Sequence, residues 1–253
     1  MKMEAFTVDN IPLIKKGDNI AGMICRNAEI RNNDIVVIAS TIVAKAEGRM
    51  FRLEDIEAKE EARRIADEHR ADPRLIQAVL DRSCEVLMDF PILLVETKNG
   101  HVCIKAGIDG SNVEKGYLAD LPEDPDASAA GIGKAVEQIS GKNVSVIVTD
   151  TNGRAFKIGQ TGIAIGLYRI HPIKNWIGKK DLFGNTLEIT QESVADEIAG
   201  TANLLMGEGD GGNPVVIVRG LEMRSEKDTS VKEMYRPDKE DLIKKGLRSL
   251  RHN

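Results

Sequence analysis

Cysteine is scarce in this chain. Cys25, Cys84 and Cys103 are the only three in 253 residues, far apart and without Cys-x-x-Cys spacing. That argues against both a disulfide framework and a structural zinc site. Long apolar runs are also missing: no stretch reaches the about 18 residues that a membrane span requires. Residues 1–10 hold nothing like the apolar centre of a secretory leader. A cytoplasmic protein with no membrane partner is therefore expected. Positive charge is not in excess, since the formal net charge is -5. That argues against a general nucleic-acid binder, although not against a local basic pocket. No repeat of solenoid length and no low-complexity tract occurs. No Ser-His-Asp or Cys-His arrangement stands out, so a covalent protein nucleophile is not expected.

What is present is ordinary globular composition, 42% hydrophobic and 30% charged, with enough length for one large domain or two modest ones. Apolar runs at 34–39, 144–149 and 214–218 read as buried strands, and the alternating glycine-rich run 159–167 as another. Asn99-Gly100 between 92–98 and 101–105 predicts an antiparallel hairpin with a type I′ turn. Helical spacing predicts helices over 53–70, 73–80, 126–140 and 237–251. It predicts one more upstream of Gly207, with Val194, Ile198, Ala202 and Leu205 inward. A hairpin amid interspersed helices predicts an α+β fold of mixed, largely antiparallel sheets with flanking helices. Two subdomains are expected, 1–82 with 190–253 as the first and 83–189 as an insertion.

Candidate chemistry concentrates in loops. The densest is Met206, Gly207, Glu208, Gly209, Asp210, Gly211, Gly212 and Asn213, between a helix and a strand. It lacks the Lys-Ser/Thr pair of a P-loop, and no helix follows it. A preceding helix C-terminus favours a cation there, and Glu208 and Asp210 add the hard oxygens that Mg²⁺ or Mn²⁺ prefers. Asp109 and Asp150 sit in two further acidic loops, Gly107-Ile-Asp-Gly-Ser-Asn112 and Thr149-Asp-Thr-Asn-Gly-Arg154. Each alone also reads as a plain turn, because Asp, Asn and Gly are turn residues. Together they suggest a metal site, since carboxylates brought close without a cation repel one another. Lys45 lies just past the strand 34–39, and Ser40 and Thr41 at its end suit a phosphate or simply cap a helix. Arg154 is a further basic candidate. His171, Lys174, Trp176 and Asp181 suit an aromatic substrate, with Trp176 equally readable as a core or interface anchor. His69, His101 and His252 look incidental.

In order and number these segments resemble the coenzyme F-420 γ-glutamyl ligases, which extend the tail of a deazaflavin coenzyme. The resemblance covers nearly the whole chain. It rests on Ile11-Pro12-Leu13-Ile14, Ser40-Thr-Ile-Val-Ala-Lys-Ala-Glu-Gly-Arg49, Gly107-Ile-Asp-Gly-Ser-Asn112, Thr149-Asp-Thr-Asn-Gly-Arg-Ala-Phe-Lys-Ile-Gly-Gln160, Asn175-Trp-Ile-Gly178 and Met206-Gly-Glu-Gly-Asp210. It implies a GTP-dependent ligase that adds L-glutamate through γ-linkages by way of an acyl phosphate. It also implies an intertwined α+β homodimer. The metal positions of the family match Asp109, Asp150, Thr151 and Glu208, for two divalent cations, Mg²⁺ or Mn²⁺, and K⁺ is implied as well. The nucleotide contacts would fall on Ile11 to Ile14, Ser40, Thr41, Lys45, Asn112 and the loop 206–213. Some members carry Gln where Glu208 stands, and Ser is common in place of Thr41 and Thr151. Two other readings stay open, a metal-dependent nucleotide hydrolase and a non-catalytic nucleotide-binding module.

Overall fold

The computed structural model describes residues 2–251, so His252 lies outside it. In chain order the elements begin with β1 (Glu4–Thr7), α1 (Ile20–Asn27), β2 (Asp34–Ala39), α2 (Ser40–Glu47) and β3 (Met50–Phe51). Next come α3 (Glu60–His69), α4 (Pro73–Arg82), β4 (Ser83–Met88), β5 (Leu94–Thr97), β6 (Val102–Ile104) and β7 (Leu118–Ala119). Then follow α5 (Pro125–Ser140), β8 (Val144–Arg154), β9 (Lys157–Tyr168), β10 (Ile173–Asn175) and β11 (Gln191–Ser193). The chain closes with α6 (Val194–Met206), β12 (Val215–Arg219) and α7 (Leu242–Arg251). No helix among the described residues is long and apolar enough to cross a membrane.

A five-stranded sheet in the order β1-β12-β2-β8-β9 carries the core. Only β2 and β8 run parallel, and every other ladder is antiparallel, so the fold is α+β as the sequence predicts. Strand periodicity decides which helix packs where. Val36, Ile38, Val146 and Val148 face α1 and α5, meeting Ile24, Ala129 and Val136. Ile35, Val37, Ile147 and Val218 face α6, meeting Val194, Ile198 and Ala202. Arg219 clamps two central strands by donating to both oxygens of the buried Asp34, at 2.8 Å each.

A second sheet, β4-β5-β6, stands beside the first. Ala62, Ile65 and Ala66 of α3, Ile76 and Val79 of α4, and Leu93 and Val95 form its core. The C-terminal segment straps it: Lys244 donates to Glu96 at 2.7 Å, and Arg248 to both oxygens of Glu85 at 2.8 and 2.6 Å. The large sheet mixes strands from both sides of the boundaries expected at 82/83 and 189/190.

Four local expectations are corrected. The helix expected over 237–251 begins only at Leu242. The helix expected over 53–70 begins only at Glu60. Residues 53–55 close a 3-10 turn, Ile56 is extended, and the Gln77 side chain caps the Lys59 N–H at 3.0 Å. The hairpin is present, but its turn is not type I′. Gly100 N–H closes onto the Thr97 carbonyl at 2.8 Å, and of Lys98, Asn99 and Gly100 only Gly100 has positive φ, whereas type I′ needs two such residues in a row. In α6, Met206 rather than Leu205 completes the buried stripe, and Leu205 is turned partly outward. The strands β4, β10 and β11 and the helices α1 and α2 go beyond the sequence expectation.

His101 is buried beside the Tyr235 ring, with 6.4 Å between centroids, and its Nε2 has no hydrogen-bond partner among the described residues. Burial lowers its pKa from 6.5 to about 4. The unfolded chain therefore takes up this proton first, and stability falls as pH drops from about 6.5 towards 4. The full effect is about 3 kcal/mol. Urea unfolding between pH 7.5 and 4.5 should show a shallower loss in His101→Phe than in the parent. Equal losses in the two proteins would refute the assignment.

Candidate functional site

The end of β2, the start of β12 and the middle of β8 meet at one end of the large sheet. In the parallel pair Ala39 lies opposite Thr149, so the next residues, Ser40 at the start of α2 and Asp150 within β8, come side by side. Ser40 Oγ donates to Asp150 Oδ1 at 2.9 Å. β12 runs antiparallel to β2 with Val215 opposite Ile38, and the Ala39 N–H donates to the Pro214 carbonyl at 2.9 Å. The start of β12, and with it the loop 207–213, therefore reaches the same edge. Strand β2 passes directly into α2, which makes Ser40 and Thr41 the first residues of a helix.

Asp109 arrives from the second sheet. Its N–H donates to the Ala119 carbonyl at 3.1 Å, and the Ala119 N–H returns the bond at 2.8 Å. Ala119 pairs with Met50 of β3, just past α2. Asp120, buried next door, accepts from Arg49 and from Arg82 at 2.7 Å each and so locks this junction. Lys105, Ala106 and Gly107, ahead of Asp109, hold φ of 51, 55 and 72°, a left-handed run with two non-glycine members. Strain of this kind costs on the order of 1 kcal/mol per residue and collects at functional loops.

Polar contacts cross between the loops. Lys45 Nζ donates to the Asn112 carbonyl, and Asn112 Nδ2 reaches the Gly209 carbonyl at 3.4 Å. The Thr151 hydroxyl approaches Glu208 Oε2 at 3.5 Å, while Asn203 Nδ2 donates to Glu208 Oε1 at 2.8 Å. Ser111 donates to Asp109 through both its N–H, at 3.0 Å, and its hydroxyl. Burial pushes the Asp150 carboxyl up to about 6, against the Ser40 hydroxyl and the Thr151 N–H, and the charges of Asp109 and Glu208 add to the rise. Asp150 is thus within electrostatic reach of both Asp109 and Glu208. Burial also lowers the pKa of Lys45, with Glu114 opposing. Cys103 is pushed up to about 12 by burial and then by Asp150, which leaves it a neutral thiol.

Among the described residues no three His, Cys, Asp or Glu side chains close into a cage around one point. The donors are nevertheless all hard oxygens, which fits a cation that keeps water and phosphate in its shell. Of the remaining candidates, Ile14 is buried in the core with Ile11 packed against it, while Pro12 and Leu13 are exposed. Met206 is buried, and Asp210, Gly211 and Gly212 are exposed. Arg154 bonds locally to the Ile158 carbonyl at 2.9 Å. Lys174 lies 4.2 Å over the Trp176 ring, and Trp176 Nε1 donates to Glu192 at 2.7 Å. Asp181 accepts from the N–H groups of Phe183 and Asn185, both at 2.8 Å, as a turn residue. Asn203 was not singled out in the sequence. Its signal is a polar side chain in the last turn of a helix that leads into the acidic loop.

Residues 9–220 match the family described as F420-0:Gamma-glutamyl ligase. The chain belongs to that family. Among relatives in it, the coenzyme F420:L-glutamate ligase of Methanosarcina mazei is 61% identical over 252 residues, covering 100% of this chain and 99% of the relative. Proteins of the same name from Archaeoglobus fulgidus and Haloarcula marismortui are 49% and 40% identical, each across at least 98% of both chains. Full-length coverage of these γ-glutamyl ligases means that every loop described above lies inside the shared region.

Ser40→Ala strips a buried carboxyl of its hydroxyl donor. A loss of about 2 kcal/mol is expected from urea unfolding at neutral pH. A change under about 0.5 kcal/mol would show that the pair contributes nothing.

Proposed function

We propose that this protein is a GTP-dependent ligase that adds L-glutamate, through γ-linkages, to the deazaflavin coenzyme precursor. The observation that carries the reading is the meeting of Ser40, Asp150, Asp109 and Glu208 at one sheet edge in a member of this ligase family. In this reading Asp109, Asp150, Thr151 and Glu208 hold divalent cations, Mg²⁺ or Mn²⁺ and two in number. When bound, they neutralise phosphate charge during phosphoryl transfer. For K⁺ the described residues nominate no ligand set, and it stays a proposal from the family likeness.

The chain's own groups divide the remaining work. The first N–H groups of α2, at Ser40 and Thr41, have no acceptor within that helix and would receive a phosphate oxygen. Lys45, held by Asn112 and partly desolvated, adds a positive charge beside them. Residues 11–14 and 206–213 would flank the nucleotide. The γ-phosphoryl group passes from GTP to the acceptor carboxylate, leaving GDP and an acyl phosphate. The glutamate amine then attacks the acyl carbon, the bond to phosphate oxygen breaks, inorganic phosphate leaves, and the nitrogen loses a proton. A second cycle uses the γ-carboxyl of the glutamate just added. Positioning and exclusion of water suffice for the amide step, which accords with the absence of a nucleophile triad.

We also propose a homodimer. Past Asp150 the β8–β9 ribbon pairs with no third strand among the described residues, and its tip residues Phe156 and Ile158 are fully exposed. Leu182, Phe183 and Ile189, between β10 and β11, are likewise bare. Projecting arms with apolar tips need cover, and a second copy of the chain supplies it. Light scattering is expected to give twice the monomer mass, with Phe156→Asp/Phe183→Asp shifted to monomer. An unchanged mass in the variant would remove these arms from the interface.

Purified protein supplied with GTP, Mg²⁺ or Mn²⁺, L-glutamate and the deazaflavin acceptor should yield products heavier by whole glutamate residues, read by mass spectrometry. Asp109→Ala and Asp150→Ala should each lose at least about a hundredfold in turnover with the fold intact. GTP breakdown at full rate without acceptor or glutamate would favour a hydrolase instead. Binding of GTP without any turnover would favour a non-catalytic module.

A further inference from the structure

We infer that Asn203 is a positioning residue that aims Glu208 into the site. The inference rests on the reading of Glu208 as a metal ligand. Glu208 is exposed and stands in a segment with glycine at 207, 209, 211 and 212, so little in its own backbone fixes its direction. Asn203 supplies what the loop lacks. Its Nδ2 donates to Glu208 Oε1 at 2.8 Å, which leaves Oε2 turned towards the Thr151 hydroxyl at 3.5 Å. A neutral amide suits this task, because a lysine or arginine at 203 would hold the carboxylate while cancelling the charge that attracts a cation.

The place of Asn203 is itself fixed by a closed circuit. Thr151 is paired with Gly162 across the β8–β9 ladder. A Cβ on Gly162 would stand 2.6 Å from the Ala199 carbonyl and 2.8 Å from Asn203 Cβ, so α6 lies flush on β9 only because this residue is glycine. The Asn203 carbonyl meanwhile accepts the Gly207 N–H at 2.9 Å and ends the helix one residue before Glu208. Thr151, Gly162, Asn203 and Glu208 thus form a ring in which strand pairing, packing and one amide set the angle of one carboxylate. A group that orients a ligand from behind typically accounts for a factor of about 10 to 100 in metal affinity.

The test uses the full-length protein and Mn²⁺ alone, with free Mn²⁺ read by electron paramagnetic resonance. Asn203→Ala keeps the Cβ that rests on Gly162 and is expected to weaken Mn²⁺ binding about tenfold, with the melting midpoint moved by no more than about 2 °C. The same substitution in a Glu208→Gln background should have no further effect, because its only route to the metal is then gone. If Asn203→Ala weakens binding equally in both backgrounds, its role is structural and the inference is overturned. If Glu208→Gln weakens binding and Asn203→Ala does not, the inference falls while Glu208 stands as a ligand. If Glu208→Gln binds as the parent does, the ligand assignment fails and takes the inference with it. Should Asn203→Ala not fold, Asn203→Leu, which keeps the bulk without the donor, is read against the same three outcomes.

Discussion

The register of β2 against β8 is the constraint on which the site depends. Ala39 opposite Thr149 delivers Ser40 to Asp150, and the antiparallel β12 brings the glycine loop to the same edge. Side chains alternate along a strand, so a slip of one residue would turn Ile35 and Val37 towards the wrong helices and separate Ser40 from Asp150 in one step. The hydrophobic core and the candidate chemistry are therefore specified by one register. The Arg219–Asp34 clamp at the other end of β2 ties β12 to β2 with charge as well as backbone bonds.

Around that edge the molecule tolerates features that lower its stability. Asp150 is desolvated within reach of two other acids, and three successive residues ahead of Asp109 hold left-handed backbone. Both are affordable only against a rigid surround. Asp120 with its two arginines provides that on the Asp109 side, and the flush packing of α6 on β9 provides it on the Glu208 side. The projecting arms belong to a different regime, with apolar tips in solvent.

Much of this was legible in the sequence wherever a residue type forces a local conformation. Asp72-Pro73 capped α4, Gly141 and Gly207 ended α5 and α6, and the Val/Ile runs became β2, β8 and β12. The acidic loops were visible as loops. Their convergence was not, because it arises from one parallel and one antiparallel pairing between segments far apart in the chain, and no local pattern encodes which strands become neighbours. The turn at Asn99-Gly100 misled for a smaller reason: Gly100 supplies the positive φ alone, so Asn99 never needs it. Asn203 stayed hidden because a single polar residue near a helix end is unremarkable until its partner is known. The strained Lys105–Ala106 pair carries no compositional mark either, since neither residue favours the conformation it holds.

The strand order β1-β12-β2-β8-β9 sets an order of events during synthesis. The third and fourth strands of that order can begin to pair once β8 has left the ribosome, but β1, made first, pairs only with β12. The amino-terminal strand must therefore wait for about two hundred further residues before it has a neighbour, and until then the inner edge of β2 lies open. Glu208 and its loop emerge just ahead of β12. A nascent chain of this protein thus acquires its sheet edge and its last acidic loop almost together, and a ligand that bridges them can grip only a chain in which β12 has been made.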